Sequence, residues 1–120
     1  MIERDYQEII RASVPRAALY EQLAEEAAEL AHAALKYARV LRGENPTPVS
    51  ETAAAMALVE EASDVHLTAG VLGVKVDPEV MRRKLERWVD RLNERGEAQC
   101  AGSRASSPFG GSGVPSAGRR

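Results

Sequence analysis

Apolar residues return at helical spacing along most of the chain. Leu19, Leu23, Leu30, Ala34, Tyr37 and Leu41 recur at intervals of three, four and seven across Arg16 to Arg42, a stretch with neither glycine nor proline. That spacing gathers one side of an α-helix into an apolar stripe, so a single long amphipathic helix is expected there, stopped by Gly43. Pro15 stands where a helix can begin, because first-turn N–H groups have no intrahelical acceptor and proline loses nothing by lacking one. A shorter periodic segment precedes it, from about Ile2 to Ala12.

After Gly43 the chain reads "ENPTPVSE". Asn45 and Thr47 each precede a proline, which steers them away from the α region and predicts a rigid turn. Ser50 reads as an N-cap, with a helix over Glu51 to Leu72 ended by Gly73. Asp77 and Pro78 restart the chain as N-cap and first helical residue. Val80, Met81, Leu85, Trp88, Val89 and Leu92 then form the apolar stripe of a last helix, which is expected to close near Gly96. No segment reads as a strand, and an all-α, antiparallel helical bundle is the predicted fold.

Composition supports this picture. Hydrophobic residues make up 44% of 120, but only 4% are aromatic, and the alanine that supplies much of the rest favours closely packed helices over a strand-rich core. The length allows one domain, placed at residues 1–95, whose core is small enough that completion by homo-oligomerisation is expected. Residues 96–120 contain six Gly, five Ser and two Pro, a mixture that cannot bury enough apolar surface to order itself, and this tail is expected to be disordered. The net charge is −2 overall; the tail has three arginines against one glutamate, so residues 1–95 carry −4. Nothing in that balance suggests a nucleic-acid partner. A lone Cys100 excludes an intrachain disulfide and a thiol-rich metal site. No signal-peptide pattern and no apolar run of membrane-spanning length is present, so no membrane partner and a cytoplasmic location are expected.

The acids carry the candidate chemistry. Glu25, Glu26 and Glu29 lie on one narrow arc of their helix, and Glu60, Glu61 and Asp64 repeat the arrangement on the next. The first arc also holds Gln22 and Lys36, as an ordinary solvated face would. The second is different: between Ala53 and Val74 these three acids are the only formal charges. Leu58, Val65 and Leu72 flank the arc on one side and Met56, Leu67 and Val71 on the other, so this helix is expected to be buried. Acids on a buried helix must be paired, protonated or bound to a cation. With a second acidic arc on a neighbouring helix, a divalent cation such as Mg²⁺ answers the demand with fewest parts, and four to six carboxylates suggest more than one ion.

Glu25-Glu26-Ala-Ala-Glu29 followed by Glu61-Ala-Ser-Asp64 resembles the paired acidic signature of the MazG-like, all-α nucleoside triphosphate pyrophosphohydrolases, over roughly residues 16–95. The resemblance implies a helical bundle, homodimeric or homotetrameric, that cleaves NTP or dNTP between the α and β phosphates to leave a monophosphate and pyrophosphate. It implies Glu26, Glu29, Glu61 and Asp64 as ligands of Mg²⁺, with Mn²⁺ as a substitute, and Glu25 or Glu60 as the group that assists the attacking water. Many relatives carry a Lys, Asn and Arg series on the last helix for phosphate contact. Here Lys84 and Arg91 stand at those spacings, and Trp88 takes the place of the Asn.

Trp88 can be read as a core or interface aromatic or as a stacking surface for a nucleobase. His32 and His66 lack partners at ligand spacing, and Ser13, Ser50 and Ser63 lack the neighbours a nucleophile needs. Two other readings compete with the triphosphate pyrophosphohydrolase: a phosphoribosyl-ATP pyrophosphohydrolase sharing the metal site, and a non-catalytic helical adaptor whose acidic arcs are salt-bridged across a dimer.

Overall fold

In a computed structural model, α1 spans Glu3–Ser13, α2 Arg16–Arg42, α3 Glu51–Leu72 and α4 Pro78–Ala105. The structure describes residues 3–44 and 49–105, with side chains described as far as residue 97. Among these residues there is no strand, and the all-helical expectation holds. The turn expected at 45–48 and most of the tail lie outside the described residues. No helix is long and apolar enough to cross a membrane.

Local chemistry sets the helix ends. Gly43 and Gly73 adopt φ of 70° and 73°, the left-handed conformation that costs an L side chain and suits glycine. In each case two amides turn back on the last turn: Gly43 N donates to Val40 O (3.1 Å) and Glu44 N to Arg39 O (2.9 Å), while Gly73 N donates to Gly70 O (3.1 Å) and Val74 N to Ala69 O (2.9 Å). These paired bonds satisfy carbonyls that would otherwise be left open. At the start of α3, Ser50 Oγ accepts from Ala53 N at 3.1 Å. At the start of α4, Asp77 Oδ1 accepts from Glu79 N at 2.9 Å and Val80 N at 3.3 Å. Tyr37 Oη donates to Glu51 Oε1 at 3.2 Å, tying the last turns of α2 to the first turn of α3.

The contacts divide the chain after Lys75 into two units. In the first, α2 and α1 both pack on α3. The buried side chains are Leu19 and Ala33 from α2 and Ala54, Thr68 and Val71 from α3. Thr68 keeps its hydroxyl satisfied by donating to Asp64 O at 2.9 Å.

One expectation for α3 is corrected. Val71 is buried and Leu58, Val65 and Leu72 are half-buried, but Met56 is 68% and Leu67 51% exposed. Periodicity marks a residue as apolar without saying whether a helix lies over it, and in this unit α1 and α2 cover only part of the α3 surface.

The second unit contains α4, which is longer than expected. It runs through Gly96 to Ala105. A helical glycine costs only about 1 kcal/mol relative to alanine, and Glu94, Arg95 and Glu97 around it are good helix formers. Every described side chain from Met81 to Glu97 is exposed. Arg82 bridges Glu79 at 2.6 Å and also Glu86, pairs too solvated to contribute much stability.

The cap at Ser50 provides a direct check of this architecture. Ser50→Ala removes the acceptor for Ala53 N and is expected to lower unfolding free energy by about 1 kcal/mol in urea titrations, with Ser50→Asp retaining parental stability.

Candidate metal centre

The α2–α3 packing brings together acids that are distant in the chain. Glu26, Glu29 and Glu61 each offer a carboxylate oxygen, and these oxygens lie within 4.8 Å of one another. Glu26 and Glu61 are half-buried and Glu29 is exposed, so the trio sits at the edge of the helix seam with one side open to solvent. Gln22, one turn before Glu26, donates its amide Nε2 to Glu26 Oε1 and fixes that carboxylate.

Glu61 is the strained member. Its Oε2 is closed to solvent and accepts no hydrogen bond. Burial first, then the charge of Glu29, a hydrogen bond shared with Glu29, and the charges of Asp64 and Glu60 raise its carboxyl above the ordinary range. Two carboxyl groups can share a hydrogen bond only when one carries a proton. With both ionised, Oε2 has no donor and faces like charge. The arrangement therefore favours a proton at low pH and a cation when the proton is gone.

The trio could hold a metal ion, and an all-oxygen, anionic donor set suits a hard divalent one. Mg²⁺ bonds of about 2.1 Å place opposite ligand oxygens about 4.2 Å apart. Adjacent ligands stand closer still, about 3.0 Å apart, so the trio, spread over no more than 4.8 Å, would have to draw together to enclose an ion, and exposed Glu29 is the member with room to move.

Asp64 stands outside the trio. It is half-buried, its charge acts on Glu61, and it lines a cleft of about 240 Å³ with Glu26, Gln22 and Ile10. Glu25 and Glu60 are exposed, and Glu25 makes no hydrogen bond among the described residues. Lys84 and Arg91 are exposed on α4, in the other unit. His32 and His66 are exposed, and Ser63 spends its hydroxyl on Val59 O at 2.6 Å.

Sequence reasoning placed Gln22 on an ordinary solvated face and did not give it its role here. Its spacing of four from Glu26 was the available signal, since residues so spaced meet on a helix surface. Arg87 was also passed over. It lines the same α4 groove as Lys84 and Arg91, and its spacings of three and four from them carry the same signal. Compared with protein-family models, with curated proteins and with solved structures, the chain matches none.

The raised Glu61 carboxyl sets the sign of a pH dependence. Between the ordinary carboxylate range and the higher folded value, the folded chain binds more protons than the unfolded one, so stability falls as pH rises through that window and then levels. In chelator, melting temperature is expected to drop across it. Glu61→Gln, which removes the ionisable group and supplies an amide donor, is expected to melt higher than the parent at neutral pH and to flatten the dependence. A parent whose melting is unchanged from pH 4 to 8 contradicts this account of Glu61.

Proposed function

We propose that the chain is a Mg²⁺-dependent nucleoside triphosphate pyrophosphohydrolase, acting on NTP or dNTP to give a monophosphate and pyrophosphate. The observation that carries the reading is the carboxylate trio across α2 and α3, with Glu61 Oε2 buried and without a donor. The paired acidic signature that resembles the MazG-like enzymes supplies the reaction class. In this reading Glu26, Glu29, Glu61 and Asp64 hold the metal. When bound, the ion neutralises triphosphate charge and lowers the pKa of a coordinated water.

The chain's own groups have separate tasks. Gln22 orients Glu26, as a hydrogen-bonded partner orients a metal ligand. Exposed Glu25 accepts the proton of the attacking water, with Glu60 as the alternative. Lys84 and Arg91 hold phosphate oxygens as charge-assisted donors. The bundle is antiparallel and completed by a second copy over the exposed α3 residues Met56, Val59 and Leu67.

The adaptor reading requires salt bridges to the acidic arcs. Among the described residues, the ion pairs are those of Arg82 with Glu79 and Glu86 on α4. Within one chain, none of the described Lys or Arg residues pairs with an acid of the α2 or α3 arcs, so the adaptor's bridges would have to come from a second copy.

Incubation with Mg²⁺ and a nucleotide panel that includes phosphoribosyl-ATP is expected to release monophosphate and pyrophosphate. Diphosphate with orthophosphate would place the cut at the γ position and reject the reading.

Asp64→Asn tests the metal set. The change keeps shape and removes charge, so turnover is expected to fall by about 100-fold or more, since even groups that only orient a ligand cost 10- to 100-fold. Melting in chelator is expected to hold or rise, because one repelling acid is gone. A variant that melts far lower in chelator, beside a parent indifferent to Mg²⁺, would instead mean that Asp64 pairs with a cationic side chain.

A further inference from the structure

One face of α4 has two chemically distinct edges. A groove of about 530 Å³ is lined by Met81, Lys84, Leu85, Arg87, Trp88 and Arg91. At about 100° per residue, Met81, Leu85 and Trp88 fall within one arc of about 60°, and Lys84, Arg87 and Arg91 fill a neighbouring arc of similar width. Trp88 is 60% exposed, so its ring is open to solvent. The three cations are also uncommitted: Arg82 is the α4 cation engaged by Glu79 and Glu86, while Lys84, Arg87 and Arg91 form no ion pair among the described residues.

We propose that this groove binds the nucleotide directly, with the base stacked on Trp88 and the polyphosphate held by Lys84, Arg87 and Arg91. The proposal rests on the nucleotide reading above for the class of ligand and adds Trp88 and Arg87 to the residues that recognise it. A planar aromatic edge beside a tricationic edge is complementary to a ligand with one flat, weakly polar half and one polyanionic half. Lys84 and Arg91 are seven residues apart, about 10 Å along the axis, enough to follow a triphosphate while the base lies at Trp88 between them. Inorganic polyphosphate has no ring to place on the apolar edge. An apolar protein partner would leave the three cations unanswered.

Stacking on an aromatic face is tolerant of base identity. The groove therefore supplies affinity for nucleoside triphosphates as a class, and choice of base must come from other residues.

Trp88 is the only tryptophan, so its emission reports the groove alone. The full chain is titrated in chelator, which prevents turnover, with each of the four common nucleoside triphosphates and with inorganic triphosphate. The nucleotides are expected to quench Trp88 emission, and inorganic triphosphate to displace them without comparable quenching. By calorimetry, Trp88→Leu is expected to weaken nucleotide binding about tenfold while leaving inorganic triphosphate unaffected, and Arg87→Gln to weaken both. The quenching is expected to decline as salt rises.

Any of these binding results overturns the proposal: no quenching by any nucleotide, equal loss of nucleotide and inorganic triphosphate in Trp88→Leu, or emission that shifts with protein concentration and ignores ligand, which marks a protein interface. Pyrophosphate release in Mg²⁺ separates this proposal from the enzymatic one. Binding without hydrolysis rejects the pyrophosphohydrolase alone. Hydrolysis with KM unchanged in both variants rejects the α4 groove alone.

Discussion

Like charge held at close range is the constraint around which the first unit is built. Three carboxylates lie within 4.8 Å across α2 and α3, and nothing in their own interaction favours that approach. Packing of the two helices must hold them there, and a proton or cation must relieve them. The fold offers the packing through a seam that includes two alanines, Ala33 and Ala54, with Leu19, Thr68 and Val71. Small side chains allow helix backbones to approach closely, which is also what brings side chains at the seam's edge within reach of one another.

The same seam limits stability. Full burial of a Val or Leu side chain contributes about 1.5 to 3 kcal/mol, and alanine much less. The other large apolar residues are only partly covered, and Met56, Val59 and Leu67 of α3 are more than half exposed. Helix ends compensate in part. Gly43, the Ser50 cap and the Tyr37–Glu51 bond fix where α2 ends and α3 begins, and Gly73 fixes where α3 ends. They keep α3 from sliding along α2, a shift of one residue being enough to turn Glu61 away from Glu29 by about 100°. Any ion that prefers the folded carboxylate set adds its binding free energy to this small core.

What the sequence revealed follows from which physical signals are local. The ends of α2 and α3 were legible because glycine in the left-handed region, serine at an N-cap and the absence of internal breakers act within one turn. The extension of α4 through Gly96 was not, since a single glycine weakens a helix without ending it. The two acidic arcs were legible as arcs. Their meeting as Glu26, Glu29 and Glu61, with Asp64 beside them in a cleft it shares with Glu26, depends on how two helices rotate against each other, which spacing along one helix does not encode. The exposure of Met56 and Leu67 escaped for a related reason: period shows which residues share a face, and only tertiary packing shows whether the face is covered.

Trp88 shows how exposure decides between chemical roles that sequence leaves open. A tryptophan at an apolar position of an amphipathic helix is consistent with core, interface or ligand contact. Its exposure leaves it outside any core of its own unit, and on the proposed reading the adjoining edge of Lys84, Arg87 and Arg91 favours a ligand, because a purely apolar partner leaves that charge unused. On the proposed reading, recognition and chemistry then rest on opposite electrostatics. The α2–α3 acids repel a polyphosphate unless a cation intervenes, so bond cleavage depends on the ion. The α4 groove attracts a polyphosphate through its own charge, so binding there does not. On that reading the α4 groove would hold nucleotide without metal, and cleavage would require it.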